Sequence, residues 1–538
     1  MTTNIVRHSL KSSLSPFPRV ASLYQRILAR GRAPQGGYSV ERLKSMVPGW
    51  AAAAESLRYQ TTPHDSKRVF LVGYLHWWLD HVSALGLLLA GAGHSVQMGY
   101  LPYGRWSEPI HPFDAHRQSA LISDALQPAE SLIHLINLAR SNGGELAPEL
   151  MDQVHAQSIF DLQYTLQKEH ISIDTHPRSR DLYRIRSERN LAVARAVLKL
   201  LKRNEFDVMV IPNGSILEFG MIFRLARWFG LPAVTYDFGE QRSRIWLAQN
   251  AEVMRQDTSS LWAMRDEDPL TNWEEAALED LYAARKEGKV WANFARKWQS
   301  GRQQGEHELR SSLGLDPEKP LVLLCTNVVG DSLALGRQIF TEGMAEWLEI
   351  TIRHFAKRQD VQLVVRVHPG ELLGAGYPST EIVHQALPTL PGHIVVVPPD
   401  SPINTYDLIA QASLGLVYTT TVGLEMAMSG LPVIVSGATH YRGKGFTYDP
   451  ETKDEYTAML TSNAAEPLSS IQVQKAMHYA YVFFFEYPFP YPWHLIGFWD
   501  DLKDLPFETV ATTEGLIPYH RTIQALLGEE PVWGEAGE

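Results

Sequence analysis

One cysteine, Cys325, is all the thiol this 538-residue chain carries. No intrachain disulfide and no cysteine zinc cluster can form, which fits a reducing compartment. No run of 18 apolar residues occurs, and the segment behind Met1 lacks the apolar core of a signal peptide. The chain therefore reads as cytoplasmic. An excess of positive charge is missing too, with 49 Lys plus Arg against 60 Asp plus Glu and a net charge of −11. Without a global positive field, nucleic acid is excluded as a partner, and any anion must be gripped locally. The sequence has no G-x4-G-K-[ST] loop, no G-x-G-x-x-G behind a strand and no H-E-x-x-H. These absences argue against ordinary ATPases, dinucleotide dehydrogenases and zinc proteases. Asp500 and Asp501 sit in an aromatic tail away from any predicted strand end, so no metal site is expected there.

What remains is the composition of a globular protein, 45% hydrophobic with 38 Gly and 32 Pro, long enough for at least two cores. Residues 1–60 read as a helical N-terminal extension, with Val20, Leu23, Ile27 and Leu28 at helical spacing. Residues 61–305 alternate apolar runs with helical stretches, at Val69–Val72, after Gly93-His94, at Val208–Ile211 and at Ala233–Tyr236. A charged helical stretch with Trp291, Phe294 and Trp298 precedes a junction placed near 305. Residues 306–470 repeat the alternation, with runs at Leu321–Cys325, Val361–Val367, Ile394–Val397, Leu414–Val417 and Val433–Val435. Both halves are thus α/β with parallel sheets. In residues 471–538 the stretch Tyr481–Trp493 is dense in aromatics and broken by prolines, so it cannot span a membrane. Its rings either pack on the body or offer a membrane-surface or acceptor-binding face. Cys325, inside an apolar run, reads as a small buried hydrophobe.

In open parallel sheets, ligands bind beyond the carboxyl ends of strands. The run Val361–Val367 delivers His368-Pro369-Gly370-Glu371, with Arg366 beside it. The run Leu414–Val417 delivers Thr419-Thr420-Thr421, whose hydroxyls and amides suit a phosphate. Glu425 is then either a ribose contact or a carboxylate complementing the helix dipole.

The pattern Arg366-x-His368-Pro369…Thr419-Thr420-Thr421-Val422-Gly423-Leu424-Glu425-x4-Gly430-Leu431-Pro432-Val433 resembles the carboxyl-terminal domain of bacterial capsule polysaccharide biosynthesis proteins, which are GT-B-type glycosyltransferases. The resemblance covers residues 310–450, more loosely outside the quoted motif. It implies two facing Rossmann-like domains, a nucleotide-sugar donor held mainly by the second, and a glycan or lipid-linked glycan acceptor approached from the first. It also implies a metal-independent reaction that uses no cofactor, with peripheral association at the inner face of the membrane left open. By position, His368 would contact the donor phosphate, Thr420 and Thr421 would form the phosphate loop, and Glu425 would contact the ribose. Arg442 and Lys444, on a loop loosened by Gly443 and Gly445, either close over the diphosphate or form a solvated charged loop. An epimerase-like enzyme and a non-catalytic assembly or export protein of the same fold are the alternatives.

The first half offers catalytic candidates by loop position alone. Asp237, after the run Ala233–Tyr236, would take a proton from the acceptor hydroxyl or cap the next segment. His76, Asp80 and His81, after Val69–Val72, form a second acid–base set beside Trp77 and Trp78. Asn213-Gly214-Ser215 reads as a tight loop.

Overall fold

The computed structural model describes residues 11–29, 40–61, 66–74, 78–140, 145–203, 205–265, 269–287, 306–373, 378–461 and 466–529. His76, Trp77, Trp291, Phe294 and Trp298 lie outside them. Two compact units form. The first takes the chain up to Asp161, then Ser172–Val253 and the chain from Phe489 on; the second takes Leu162–Ile171 and Met254–Pro488. The division falls at Val253, where the sequence suggested 305, because the helices Ser259–Arg265 and Asn272–Lys286 belong with the second unit.

The first unit is built on a seven-stranded sheet. In chain order its strands are β1 (Arg68–Tyr74), β2 (Ser95–Leu101), β3 (Ile133–Asn137), β4 (Val208–Pro212), β5 (Ala233–Asp237), β6 (Arg244–Gln249) and, after the second unit's five strands, β12 (Phe489–Pro490). Their spatial order is β12-β6-β5-β4-β1-β2-β3. From β3 to β5 the pairing is parallel, while β6 and β12 are antiparallel. The central strands are covered on both faces, so they read as unbroken apolar runs. The order 3-2-1-4-5 is Rossmann-like, with its topological switch between β1 and β4.

The aromatic tail is core. Trp493 is fully buried and stacks on Phe507 at 5.6 Å, and Phe507 stacks on Trp50 at 5.3 Å. Tyr491 and Phe489 are buried beside them, so the rings from Phe489 on pack on the body of the first unit. Phe483, Phe484 and Tyr487 are buried within the second unit.

The second unit holds five parallel strands, β7 (Leu321–Cys325), β8 (Gln362–Arg366), β9 (Ile394–Val397), β10 (Leu414–Val417) and β11 (Val433–Val435). Their order is β11-β10-β7-β8-β9, again Rossmann-like, with the switch between β7 and β10. One face is packed by Trp347, Leu348 and Ile352 of the helix Met344–Phe355. Among the described residues no helix is long and apolar enough to cross a membrane.

Candidate functional site

Three strands of the second unit end flush. Cys325 of β7 pairs with Arg366 of β8 on one side and with Val417 of β10 on the other. The next two residues of β7's loop fasten both flanking loops. Thr326 accepts the His368 amide on Oγ1 at 3.0 Å, and Asn327 accepts the Thr419 amide on Oδ1 at 3.0 Å. The loops at 368 and 420 therefore leave the same edge of the sheet, at its switch point.

His368 is half-buried, and its Nδ1 accepts the Gly370 amide at 2.9 Å. Burial, with a smaller push from Arg366, lowers its pKa to about 4, so the ring is neutral and carries its proton on Nε2. The Thr420 and Thr421 hydroxyls are half-buried and have no hydrogen-bond partner among the described residues. Tyr441 braces their loop by donating to the Thr420 carbonyl at 2.7 Å. Position 423 must be glycine for this brace, because a Cβ there would stand 2.5 Å from the Tyr441 hydroxyl.

Three of the predicted donor contacts, Arg366, Glu425 and Arg442, are engaged in frame-like interactions. Arg366 is buried and donates to the Pro398 carbonyl at 2.6 Å and to Thr405 Oγ1 at 3.3 Å, tying β8 to the loop after β9. Glu425 is 1% exposed; it pairs with Arg285 and accepts from the Tyr406 hydroxyl at 3.0 Å. A ribose contact through Glu425 would compete with that buried pair. Arg442 donates to the carbonyls of Val435 and Pro450 and pairs with Glu451 at 3.0 Å. The Gly443 amide is held by Asp449 at 2.8 Å. The expected loose loop is thus anchored at both residues, although Gly443 and Gly445 have φ of 72° and 87° as the turn demands. Lys444 between them is half-buried and already has an interaction partner. Cys325 is buried and its thiol pKa is pushed up to about 12 by burial, so the thiol stays neutral.

In the first unit, Asp237 ends β5 half-buried. Its Oδ2 accepts from Asn213 Nδ2 at 2.7 Å and its Oδ1 from the Phe238 amide at 2.7 Å. Asn213 follows β4 directly in a left-handed conformation, φ 56°, and Gly214 comes next at 78°. The tight loop read from sequence therefore orients the carboxylate. Asp80 departs from its expected role. It is 1% exposed, accepts from Trp499 Nε1 at 3.0 Å, and burial raises its pKa to about 8. A carboxylate closed into the core cannot meet an acceptor hydroxyl. Its neighbour His81 is equally buried among the rings of Trp78, Phe238 and Tyr491.

Sequence reasoning missed two elements and one role. Thr326 and Asn327 fall in the looser part of the family resemblance, but nothing in the sequence assigns them the fastening of the two flanking loops. Asp161, Arg186 and Glu218 form a fully buried ion network, with Arg186 at 3.1 Å from Asp161 and 2.8 Å from Glu218. Beside the loop after β2 a cavity of about 420 Å³ opens, lined in part by Tyr103, Arg105, His111 and Gln118.

Residues 282–489 match the model of a family described as capsule polysaccharide biosynthesis protein. The match contains the loops at 326, 368 and 420, and it bears out the resemblance read from the motif. No curated protein matches the chain. Among solved structures, the chain is similar to the β-Kdo 2,4 transferase of KpsC from Thermosulfurimonas dismutans, with 16% identity over 51% of this chain and 79% of that one and a TM-score of 0.34. It is similar to UDP-GlcNAc 2-epimerase from Neisseria meningitidis, with 10% identity over 78% of this chain and 99% of that one, TM-score 0.26. It is also similar to the C-terminal domain of LpcC, a glycosyl transferase group 1 family protein of Francisella tularensis, with 16% identity over 34% of this chain and 93% of that one, TM-score 0.22. The fold is defined by the chain's own two parallel sheets, and the family match is confined to residues 282–489.

Proposed function

We propose that this protein is a glycosyltransferase of capsule-type polysaccharide synthesis, moving a sugar from a nucleotide-activated donor to a glycan or lipid-linked glycan acceptor without metal or cofactor. The observation that carries the reading is the double fastening at the end of β7, Thr326 to His368 and Asn327 to Thr419, which sets three donors around one strand-end edge. The Nε2–H of neutral His368 and the hydroxyls of Thr420 and Thr421 then hold the donor phosphate, with Lys444 adding charge from its loop. As the bond between the sugar's anomeric carbon and the phosphate oxygen breaks, negative charge grows on that oxygen. Donors fixed in advance stabilise it more than they stabilise the bound substrate. The acceptor oxygen bonds to the anomeric carbon and gives its proton to the carboxylate of Asp237, held in place by Asn213. Arg366, Arg442 and the Glu425–Arg285 pair act as the frame of the donor loops. The polar cavity beside Tyr103 suits a polyhydroxylated acceptor.

The test is a thermal-shift screen with UDP, CMP, GDP and dTDP, followed by product analysis with the stabilising nucleotide's sugars. A ligand that binds only the folded protein raises its melting temperature. One nucleotide is expected to stabilise the wild type and to lose most of that effect in His368→Ala. Stabilisation by none of them, or equal stabilisation of the variant, overturns the reading. Turnover of the nucleotide sugar without acceptor would instead identify an epimerase.

A further inference from the structure

The first forty residues contain six Lys or Arg and no Asp or Glu, in a chain whose net charge is −11. Within them lies the helix Pro18–Ala29. It rests on the helix Pro112–Leu126 through the buried Ala21, through Tyr24, whose ring is 5.8 Å from Phe113, and through Arg26, which pairs with Asp124 at 3.0 Å. These contacts fix which face points away. Along that outer face Phe17, Val20, Leu23 and Ile27 follow one another at intervals of three and four, and Phe17, Leu23 and Ile27 are each more than half exposed. At 3.6 residues per turn they form one stripe, and Arg19 borders it beside Leu23, while Arg26 stays paired with Asp124. Most large apolar side chains left on a protein surface are scattered; a contiguous stripe edged by cations marks a docking face.

We propose that this helix docks the protein on an anionic lipid bilayer, lying in the plane of the surface with the stripe among the acyl chains and Arg19 at the headgroups. The occupant is set by charge. Six cations and no acid in the first forty residues of an otherwise acidic protein match a negatively charged surface, even with Lys11 and Arg26 paired to Asp114 and Asp124, whereas a second copy of the same helix would bring like charges together. The aliphatic stem of Arg19 allows its head to reach phosphate while the stripe inserts. The aromatic tail, the other candidate for such a face, is spent on the core. The proposal stands independently of the sugar-transfer reading, since it uses no residue of the donor loops.

Co-sedimentation of the full-length protein with vesicles of phosphatidylcholine containing phosphatidylglycerol tests it, against pure phosphatidylcholine vesicles and at low and high salt. The wild type is expected to sediment with the anionic vesicles, and raising the salt or omitting phosphatidylglycerol should reduce binding about tenfold. Leu23→Glu with Ile27→Glu should abolish vesicle binding with an unchanged melting temperature, because both positions are exposed. Arg19→Gln alone should weaken it by about fivefold. Equal binding by the double variant, or no binding by the wild type, overturns the proposal. So does a lipid-free wild-type dimer that the double variant converts to monomer, which would assign the stripe to a second copy of the chain.

Discussion

The amide of His368 donates to Oγ1 of Thr326 at 3.0 Å, across the boundary between two adjacent parallel strands. The bond fixes the start of the 368 loop relative to β7, so the imidazole's position is decided by a residue with no chemistry of its own. Thr326→Val keeps the shape and removes the acceptor. A buried amide left without a partner costs about 1–3 kcal/mol, and the loop is expected to shift to recover it. Nucleotide affinity should fall about tenfold by titration calorimetry, while Thr326→Ser retains it. An unchanged affinity in the valine variant would show that the loop is positioned by other contacts.

His368 is neutral above a pKa of about 4, so its contribution to transfer should be constant from about pH 5 upward. His368→Ala should lower kcat about 10²-fold, the size of losing one fixed donor to a growing oxyanion, with the melting temperature nearly unchanged. A limb in the pH–rate profile near 6.5 that vanishes in His368→Gln would instead mean that the protonated ring does the work.

All five strands of the second unit were legible in the sequence because each reads as a short apolar run, four of them buried on both faces and the edge strand β9 half-buried but still Ile-Val-Val-Val. The strands β3, β6 and β12 were not. β3 is a half-exposed edge, β6 runs antiparallel with alternating burial, and β12 is two residues long and contains Pro490. The same contrast holds for the site. The loops at 368 and 420 announce themselves by following apolar runs, but whether a polar side chain turns outward or inward is settled by partners far away in sequence. Trp499, 419 residues on, closes Asp80 into the core, and Arg285 takes Glu425 from 140 residues upstream. Tertiary pairing of that kind leaves no local signal.

Arg186 lies between Asp161 and Glu218 with no exposure of any of the three. Asn190 and Gln157 also donate to Asp161, at 2.8 and 2.9 Å. Removing the cation takes the charged partner from the buried Asp161 carboxylate and from Glu218, whose pKa burial raises to about 8 and which then keeps the Tyr103 hydroxyl. Arg186→Leu is expected to cost about 3–5 kcal/mol in urea unfolding, far more than Arg184→Leu two residues away, whose pair with Glu188 is exposed. Equal losses would mean that the buried carboxylates are protonated or hydrated in solution.

Asp80 and His81 are adjacent, both buried, and shifted in opposite directions. Burial raises Asp80 from 3.8 to about 8 against the opposing Trp499 hydrogen bond and Arg42 charge, and burial, with a smaller push from His494, lowers His81 from 6.5 to about 3. The folded protein keeps a proton on Asp80 that the unfolded chain releases above 3.8. Stability is therefore fully present below 3.8 and declines as the pH rises toward 8. For His81 the unfolded chain binds a proton below 6.5 that the fold refuses, so stability is full above 6.5 and declines as the pH falls toward 3. Between 3.8 and 6.5 the two slopes oppose, and above 6.5 only that of Asp80 remains, at up to about 1.4 kcal/mol per pH unit. Asp80→Asn keeps an acceptor for Trp499 Nε1. Relative to the wild type it should gain stability steadily from pH 6.5 to 8, while His81→Phe should gain from pH 6.5 downward. A difference independent of pH across that range, read by urea unfolding at half-unit steps, would mean that water reaches the Asp80 carboxyl in the folded protein.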